Sequence, residues 1–255
     1  MSYLRNLYYR LVLDIKAQVR YSASFFADIA LIVILFIFFL LSNTGKSFAD
    51  EFGGDYKSLL LAGYIVWTMA ISAISTLAAS INFETQNGTL QNMVNSKYPV
   101  EWILFTQFVS SQVINLGVIF VLLVISKFVF MIKITLSPAM ILPIVFCVIG
   151  MFGIGLVIAG LSILIKKVSA FVLFLQLFLL FITDTIPTNE QLLTVTRYIP
   201  LTVTNNILRK IITNQSYIND FALLCITSVL SLVIGIVVFR VLMKKSIKNN
   251  ILLLY

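Results

Sequence analysis

Long apolar runs alternate with short polar segments along most of this chain, and this alternation limits the possible folds more than any single motif. A helix needs roughly 20 apolar residues to cross a bilayer core of about 30 Å. Six runs reach or approach that length: Phe25–Leu41, Leu59–Ile81, Ile103–Ser126, Leu136–Ile165, Val168–Ile182 and Phe221–Met243. Hydrophobic residues make up 60% of the 255 positions and charged residues 11%, unlike the composition of soluble domains. We therefore predict an all-α integral membrane protein with six transmembrane helices.

Two of the runs have features of their own. Pro138 and Pro143 fall in the first turns of the fourth run, which predicts a kink or a separate short segment there. The fifth run is short, which indicates an unusual crossing. Gly155 and Ala159 in the fourth run form a small-xxx-small pair that lets another helix approach closely. Packing within the chain is the favoured interpretation of this pair, and a hinge or dimer contact stays open.

The first 24 residues combine positive charge with helical periodicity. Arg5, Arg10, Lys16 and Arg20 are interleaved with apolar residues at helical spacing, namely Leu4, Leu7, Tyr8, Leu11, Ile15 and Val19. This pattern is typical of an amphipathic helix that lies in the lipid headgroup region. We therefore divide the chain into an N-terminal interfacial helix over 1–24 and a transmembrane domain over 25–255.

The net charge of +8 is explained by membrane topology better than by nucleic-acid binding. With a cytoplasmic N-terminus, 11 of the 18 basic residues are cytoplasmic: Arg5, Arg10, Lys16, Arg20, Lys97, Lys166, Lys167, Arg240, Lys244, Lys245 and Lys248. The other seven are external: Lys46, Lys57, Lys127, Lys133, Arg197, Arg209 and Lys210. Because Lys and Arg concentrate on the cytoplasmic side of membrane proteins, both termini are predicted to be cytoplasmic.

The segment 183–220, between the fifth and sixth runs, is too apolar for a simple external loop. Pro187 and Pro200 divide it. We predict two short re-entrant helices that enter the outer leaflet, which requires that protein bury their backbone ends. A folded outer loop is the alternative.

Few polar side chains interrupt the apolar runs. Three amides, Gln112, Asn115 and Gln176, are the candidate substrate-path residues, with Gln176 first because it lies in the middle of the unusual fifth run. Hydrogen bonds between helices explain them equally well. Asp28 is an acid inside the first run, and such acids are functional candidates by default. An ion pair with Arg20, or snorkelling to the interface, is the favoured interpretation.

The chain lacks the usual side chains of catalysis. It has no histidine, and its two cysteines, Cys147 and Cys225, lie in apolar runs without metal-ligand spacing. Residues 45–47 read Gly-Lys-Ser, but Leu40 stands where a phosphate-binding loop requires its first glycine. We predict that the chain is not an enzyme and binds neither metal nor ATP. A membrane-embedded lipid-modifying enzyme remains a minor alternative.

The longest polar segment predicted to be cytoplasmic is the loop over 82–102, between the second and third runs. Residues 84–93 are predicted to form a short helix, with Glu84 near its N-terminus, where the helix dipole favours a carboxylate. Gly88 permits a close backbone approach, and Pro99 ends the segment. Phe83, Leu90 and Val94 are expected to hold this helix against the membrane domain.

The sequence Glu84-x-x-x-Gly88-Thr89-Leu90, followed by Ser96 and Pro99, resembles the E-x-x-x-G-T-L…P signature of type-2 ABC exporter permeases. The resemblance extends to the basic N-terminal helix, the six runs and the proline-bearing segment before the last run. The chain departs from the family in having neutral residues where charges are frequent, at Thr85, Gln86, Asn87 and Gln91.

The resemblance implies that the loop is a coupling helix that docks onto a separate ABC ATPase subunit. The docking residues would be Glu84, Gly88, Thr89, Leu90 and Met93. Two ATPase copies, which bind ATP and Mg, would join this chain and a second or paralogous permease in the bacterial cytoplasmic membrane. The implied activity is export of a drug, antimicrobial peptide or lipid-linked molecule through a cavity expected to be apolar with scattered amides. A non-transporting sensor or scaffold that recruits an ATPase or kinase is the main alternative.

Overall fold

The computed structural model describes residues 2–20, 22–133, 137–164 and 168–248. Within these ranges the chain forms α-helices, one 3₁₀ turn at Pro138–Met140 and no strand. The helices are α1 Ser2–Arg20, α2 Ser22–Leu41, α3 Lys46–Phe52, α4 Tyr56–Gln86, α5 Leu90–Val94, α6 Val100–Phe128, α7 Ile141–Ser162, α8 Val168–Ile182, α9 Glu190–Thr196, α10 Pro200–Ile212 and α11 Ile218–Lys248. Leu136 and Ile165, the predicted ends of the fourth run, lie outside the described residues, as do Lys166 and Lys167.

Four helical segments in the described residues are long and apolar enough to cross a membrane: Tyr56–Gln86, Val100–Phe128, Pro138–Ser162 and Ile218–Ser246. A fifth candidate is the pair Phe25–Leu41 and Lys46–Phe52, whose axes are bent by 68°. The predicted all-helical, apolar architecture is confirmed with four candidate spans, or five with the bent pair. The fifth predicted span, α8, has 15 residues and a length of about 22 Å, short of the bilayer core.

Helix α7 forms the centre of the packing, because it contacts both α4 and α11. Glycines on α7 and α11 allow the helices to approach one another closely. A Cβ atom on Gly153 would lie 2.3 Å from the Ser231 carbonyl oxygen, and one on Gly235 would lie 2.2 Å from the Gly153 carbonyl oxygen. A Cβ on Gly155 would lie 2.7 Å from a methyl group of Leu77 on α4. The glycines of α7 therefore pack within the chain, as the favoured interpretation of the sequence had it.

Helices α2, α4, α6 and α7 alternate in direction, and α11 runs parallel to α7, because Gly150 lies beside Ser228 and Gly160 beside Leu242. This arrangement gives the molecule two ends. The residues 86–99 between α4 and α6 define the turn end, and residues 42–55, 129–133, 137–140 and 183–217 define the far end. Arg240 Nε lies 2.6 Å from Glu101 Oε1, which joins α11 to the start of α6 near the turn end. At the far end, the Tyr56 hydroxyl donates to the Asn43 side chain over 3.0 Å and so joins α4 to α2.

The segment 183–220 contains two short helices, α9 and α10, separated just before Pro200. Pro200 is the first residue of α10, a position where its missing N–H costs nothing. Most residues of α10 are buried against α4, α7 and α11, whereas only Thr196 is buried in α9. Arg209, which the sequence analysis counts among the external basic residues, has a fully buried side chain in this packing.

Candidate functional site

The polar turn between α4 and α6 begins with a helix cap. The Thr89 N–H donates to the Glu84 carbonyl over 2.9 Å, and the Gly88 N–H donates to the Thr85 carbonyl over 3.2 Å. Gly88 has a φ of 66°, the left-handed value that glycine adopts without strain. Together with the left-handed backbone of Gly88, these two hydrogen bonds form a Schellman motif, which satisfies carbonyl groups in the last turn of α4.

The expectation of one short helix over 84–93, with Glu84 at its N-terminus, is wrong. Glu84 lies in the last turn of α4, and Gly88 separates it from the five-residue helix α5. A carboxylate at a helix C-terminus meets the negative end of the dipole, which disfavours it. The Thr89 hydroxyl compensates by donating to the Glu84 carboxylate over 2.5 Å. Glu84, Gly88 and Thr89 are thus joined in one local structure.

The five predicted docking residues differ in exposure. Leu90 and Met93 are only 2% and 8% exposed, so they anchor α5 to the rest of the chain. Glu84 and Thr89 are half-buried, and Gly88 is exposed. The exposed surface of the turn consists mainly of amides and small polar groups, at Gln86, Asn87, Gln91, Asn92, Asn95 and Ser96.

Gly88→Ala is expected to destabilise the turn by about 1–2 kcal/mol, because an L side chain disfavours the left-handed backbone at this position. Gly88→Asn should lose less, because asparagine tolerates the left-handed region. Limited proteolysis of the turn in the two purified variants, with thermal unfolding in detergent, measures the effect. Equal susceptibility of the Ala and Asn variants would show that backbone conformation is not what requires glycine.

A groove of about 750 Å³ opens between α1, α2, α4, α6 and α8. Along α4 it extends from Thr68 to Glu84, a rise of about 24 Å at 1.5 Å per residue. Its volume is in the range of small-molecule sites, which run from about 300 to 1,000 Å³. The wall carries a series of hydroxyls, namely Thr68, Ser72, Ser75, Thr76, Ser80 and Ser111. The lining therefore combines the expected apolar surface and amides with hydroxyls that the sequence analysis does not predict.

Two of the three predicted substrate-path amides, Asn115 and Gln176, line this groove. Gln112 is not part of the lining, and its amide donates to the Met69 carbonyl over 3.3 Å. Gln107, an amide of the third run that is not among the three candidates, also lines the groove. Asn115 Nδ2 and Gln107 Oε1 are buried and have no hydrogen-bond partner among the described residues. Such atoms are rare in folded proteins and indicate a place for a bound molecule or water.

The charged residues that line the groove are mostly acidic, although the chain as a whole is basic. Three carboxylates, Asp14, Asp28 and Glu84, accompany one described cation, Arg10. Arg10 Nε lies 3.0 Å from Asp14 Oδ2. The predicted ion pair between Asp28 and Arg20 is not formed, and within the described ranges Asp28 pairs with no cation.

A buried ion pair at the far end is a second polar cluster, which the sequence analysis missed. The Arg209 guanidinium donates to both the side chain and the carbonyl of Asp184, and lies 3.5 Å above the Phe48 ring. The Asn205 amide donates to the Thr183 carbonyl over 2.8 Å. Burial raises the pKa of Asp184, while the positive charge of Arg209 opposes that rise. The four-residue spacing of Asn205 and Arg209, which puts both on one face of α10, was the available signal.

The groove and the turn share one helix, α4, and the ion pair lies at the opposite end of the molecule. The hydroxyls that line the groove and the Schellman cap that ends α4 are therefore parts of one continuous element. No protein-family model matches the chain, and no curated protein or solved structure matches it either.

Proposed function

We propose that this chain is the permease subunit of an ATP-driven exporter in a bacterial cytoplasmic membrane. The observation that carries the proposal is the course of α4, which runs unbroken from the groove wall at Thr68 to the capped turn at Gly88. A displacement of the turn would therefore be transmitted along a rigid helix to the groove. The resemblance of Glu84, Gly88, Thr89 and Leu90 to the permease signature supports the same interpretation.

In the proposed arrangement the turn end is cytoplasmic, both termini lie on that side, and α1 rests in the headgroup region. Six crossings require that the bent pair α2–α3 and the short helix α8 each span the bilayer. The re-entrant segment 183–220 would then close the groove from the outer side. A second permease copy or a paralogue would cover the open side of the groove.

The proposed mechanism is alternating access driven by a separate ATPase, which binds ATP and Mg. Closure of the ATPase dimer would push on the exposed amides of the turn. The buried side chains Leu90 and Met93 attach α5 to the membrane domain. A displacement of α5 would therefore be transmitted to α4 and would not be absorbed by a flexible loop. The groove would then open alternately to the two sides and release a drug, a peptide or a lipid-linked molecule outside. The chain itself would carry no catalytic residue.

The turn should be tested by a bulky substitution at an exposed position. Asn92→Trp is expected to reduce the co-purifying ATPase at least tenfold, because the added ring would block docking without touching the buried anchors. The same substitution on the far end, Gln191→Trp, is the matched control, since Gln191 is also exposed and lies in a short helix. The tagged proteins would be purified in mild detergent, and the partner identified by mass spectrometry through its phosphate-binding loop.

ATP turnover of the complex in proteoliposomes, with uptake of substrate into inside-out vesicles, completes the test. Loss of both activities in Asn92→Trp alone supports the exporter. ATPase binding without vectorial transport in the unmodified protein would instead support the sensor or scaffold. An unmodified protein that purifies as a homo-oligomer without any ATPase overturns the proposal.

A further inference from the structure

We propose that the end of the groove farthest from the turn binds the protonated amine of an amphipathic cation, with Asp28 as the counter-ion. The inference that this cation is the transported substrate rests on the proposed export function, whereas the binding site stands on its own geometry. Four groove-lining residues carry the proposal: Asp28, Thr68, Asn115 and Gln176.

A hydrogen bond between α4 and α6 shows that Thr68 and Asn115 lie at a similar depth in the groove. The Gln112 amide donates to the Met69 carbonyl, so these two residues lie side by side on neighbouring helices. Thr68 is adjacent to Met69, and Asn115 lies one turn beyond Gln112 on α6. Both line the groove, so they face it within about one helical turn, or 5.4 Å, of each other along the helix axes.

A second hydrogen bond brings Asp28 to the same level. The Tyr64 hydroxyl donates to the Ile32 carbonyl over 2.8 Å. Because α2 and α4 run in opposite directions, one turn back from Ile32 is Asp28 and one turn on from Tyr64 is Thr68. Asp28 and Thr68 therefore lie at similar depth, at the end of the groove farthest from the turn and about 24 Å along α4 from Glu84. The Asp28 side chain is exposed there.

Buried polar atoms without partners show that the groove is built for a polar group. Asn115 is only 5% exposed and Gln107 only 7%, yet Asn115 Nδ2 and Gln107 Oε1 have no hydrogen-bond partner among the described residues. Both residues line the groove. The Gln176 side chain lines it as well, while its backbone carbonyl accepts from the Trp67 indole over 3.3 Å. A ligand N–H group would satisfy Gln107 Oε1, whereas Asn115 Nδ2 is a donor and would need an acceptor, such as an oxygen of the same ligand.

The unpaired carboxylate at this end of the groove indicates that the bound group is a cation. Asp28 has no ion-pair partner in the described part of the chain, and Arg10, the described cation that lines the groove, is paired with Asp14. A carboxylate in an apolar domain is favourable only when a positive charge or hydrogen-bond donors compensate it. An incoming ammonium group would do so, and the hydroxyl of Thr68 would accept another of its N–H groups.

The size and the other lining residues indicate an amphipathic molecule and not a metal ion. A groove of about 750 Å³ has room for a large organic body. Phe25, Leu31, Ile32 and Leu173 add apolar surface to the same walls. Among the described residues, no group of three or more acidic, histidine or cysteine side chains could hold a metal ion. A single carboxylate beside hydroxyls and amides is suited to one ammonium or iminium charge.

Binding of rhodamine 6G to the full-length protein in lipid nanodiscs tests the proposal. This dye is a permanent amphipathic cation, and the zwitterion rhodamine B has nearly the same body. Fluorescence polarisation is expected to give at least tenfold tighter binding of rhodamine 6G than of rhodamine B. Asp28→Asn should weaken rhodamine 6G binding at least tenfold without changing rhodamine B binding, and Asp28→Glu should retain most of the preference. Asp50→Asn is the matched control, because Asp50 is exposed and does not line the groove.

Each outcome separates the binding site from the export function. No binding of rhodamine 6G, equal binding of the two dyes, or an Asp28→Asn variant with unchanged affinity would overturn the cation site. ATPase association is measured on the same variants and is expected to be independent of Asp28. If the preference for the cation depends on Asp28 but no ATPase associates, the site stands and the exporter proposal fails. If the ATPase associates and Asp28 has no effect, only the cation inference fails.

Discussion

Gly153→Ala is expected to destabilise the protein by about 3 kcal/mol or more, the largest effect that we expect from a single added methyl group. The Cβ atom would lie 2.3 Å from the carbonyl oxygen of Ser231 and 2.6 Å from the Cα atom of Leu232. Both are backbone atoms, so the strain cannot be relieved by a side-chain rotation. Helix α11 would have to move away from α7, and the contacts of the central packing would be lost with it.

Gly117→Ala is the matched control, because a Cβ atom there would have no neighbouring heavy atom within 4 Å. Alanine in an open helical position should be neutral or stabilising by up to about 1 kcal/mol. Unfolding by SDS titration, followed by tryptophan fluorescence, compares the two variants. If Gly153→Ala is as stable as Gly117→Ala, the close approach of α7 and α11 is not what holds the helices together.

Helical periodicity and apolar length predict the long elements of this fold well. The predicted run Leu59–Ile81 lies inside α4, and Ile103–Ser126 lies inside α6. The observed helices are longer at both ends because polar residues such as Glu84 and Glu101 are still compatible with a helix. An apolar run marks the part that suits lipid, while the helix continues until a cap ends it.

The shape of the turn was not predictable from apolar patterning. The sequence places Gly88 inside a short helix as a site of close backbone approach, whereas it ends α4 through its left-handed backbone. When all the flanking residues are polar, the sequence does not show whether a glycine lies inside a helix or two residues after its end. Only the bonds from Gly88 and Thr89 to the carbonyls of α4 distinguish the two cases.

The groove forms where several helices pack side by side, so the sequence predicts only some of the residues that line it. Asn115 and Gln176 were selected as isolated amides, and both line the groove. The hydroxyls of α4 were overlooked because serine and threonine are common in membrane helices and bond to their own backbone. Thr68 does so, donating to the Ile65 carbonyl over 2.7 Å, and it still lines the groove.

Arg209→Met is expected to destabilise the protein by about 3–5 kcal/mol, because it leaves the Asp184 carboxylate buried without its cation. The Arg209 side chain is fully buried, and its guanidinium bonds to Asp184 and stacks on Phe48. Loss of the guanidinium would remove the contacts that join α10 to the loop after α8 and to α3. Arg240→Met is the matched control, since Arg240 is 62% exposed in its pair with Glu101 and its removal should cost less than about 1 kcal/mol.

The double variant Arg209→Met with Asp184→Asn should recover part of this loss, because the unpaired charge is then removed as well. Asparagine is the suitable replacement, since Asp184 has a φ of 56° and asparagine tolerates that backbone. SDS unfolding of the two single variants and the double variant forms a thermodynamic cycle. A double variant whose loss equals the sum of the single losses would show that the two groups do not interact. An Arg209→Met variant as stable as Arg240→Met would show that this buried pair does not hold the far end together.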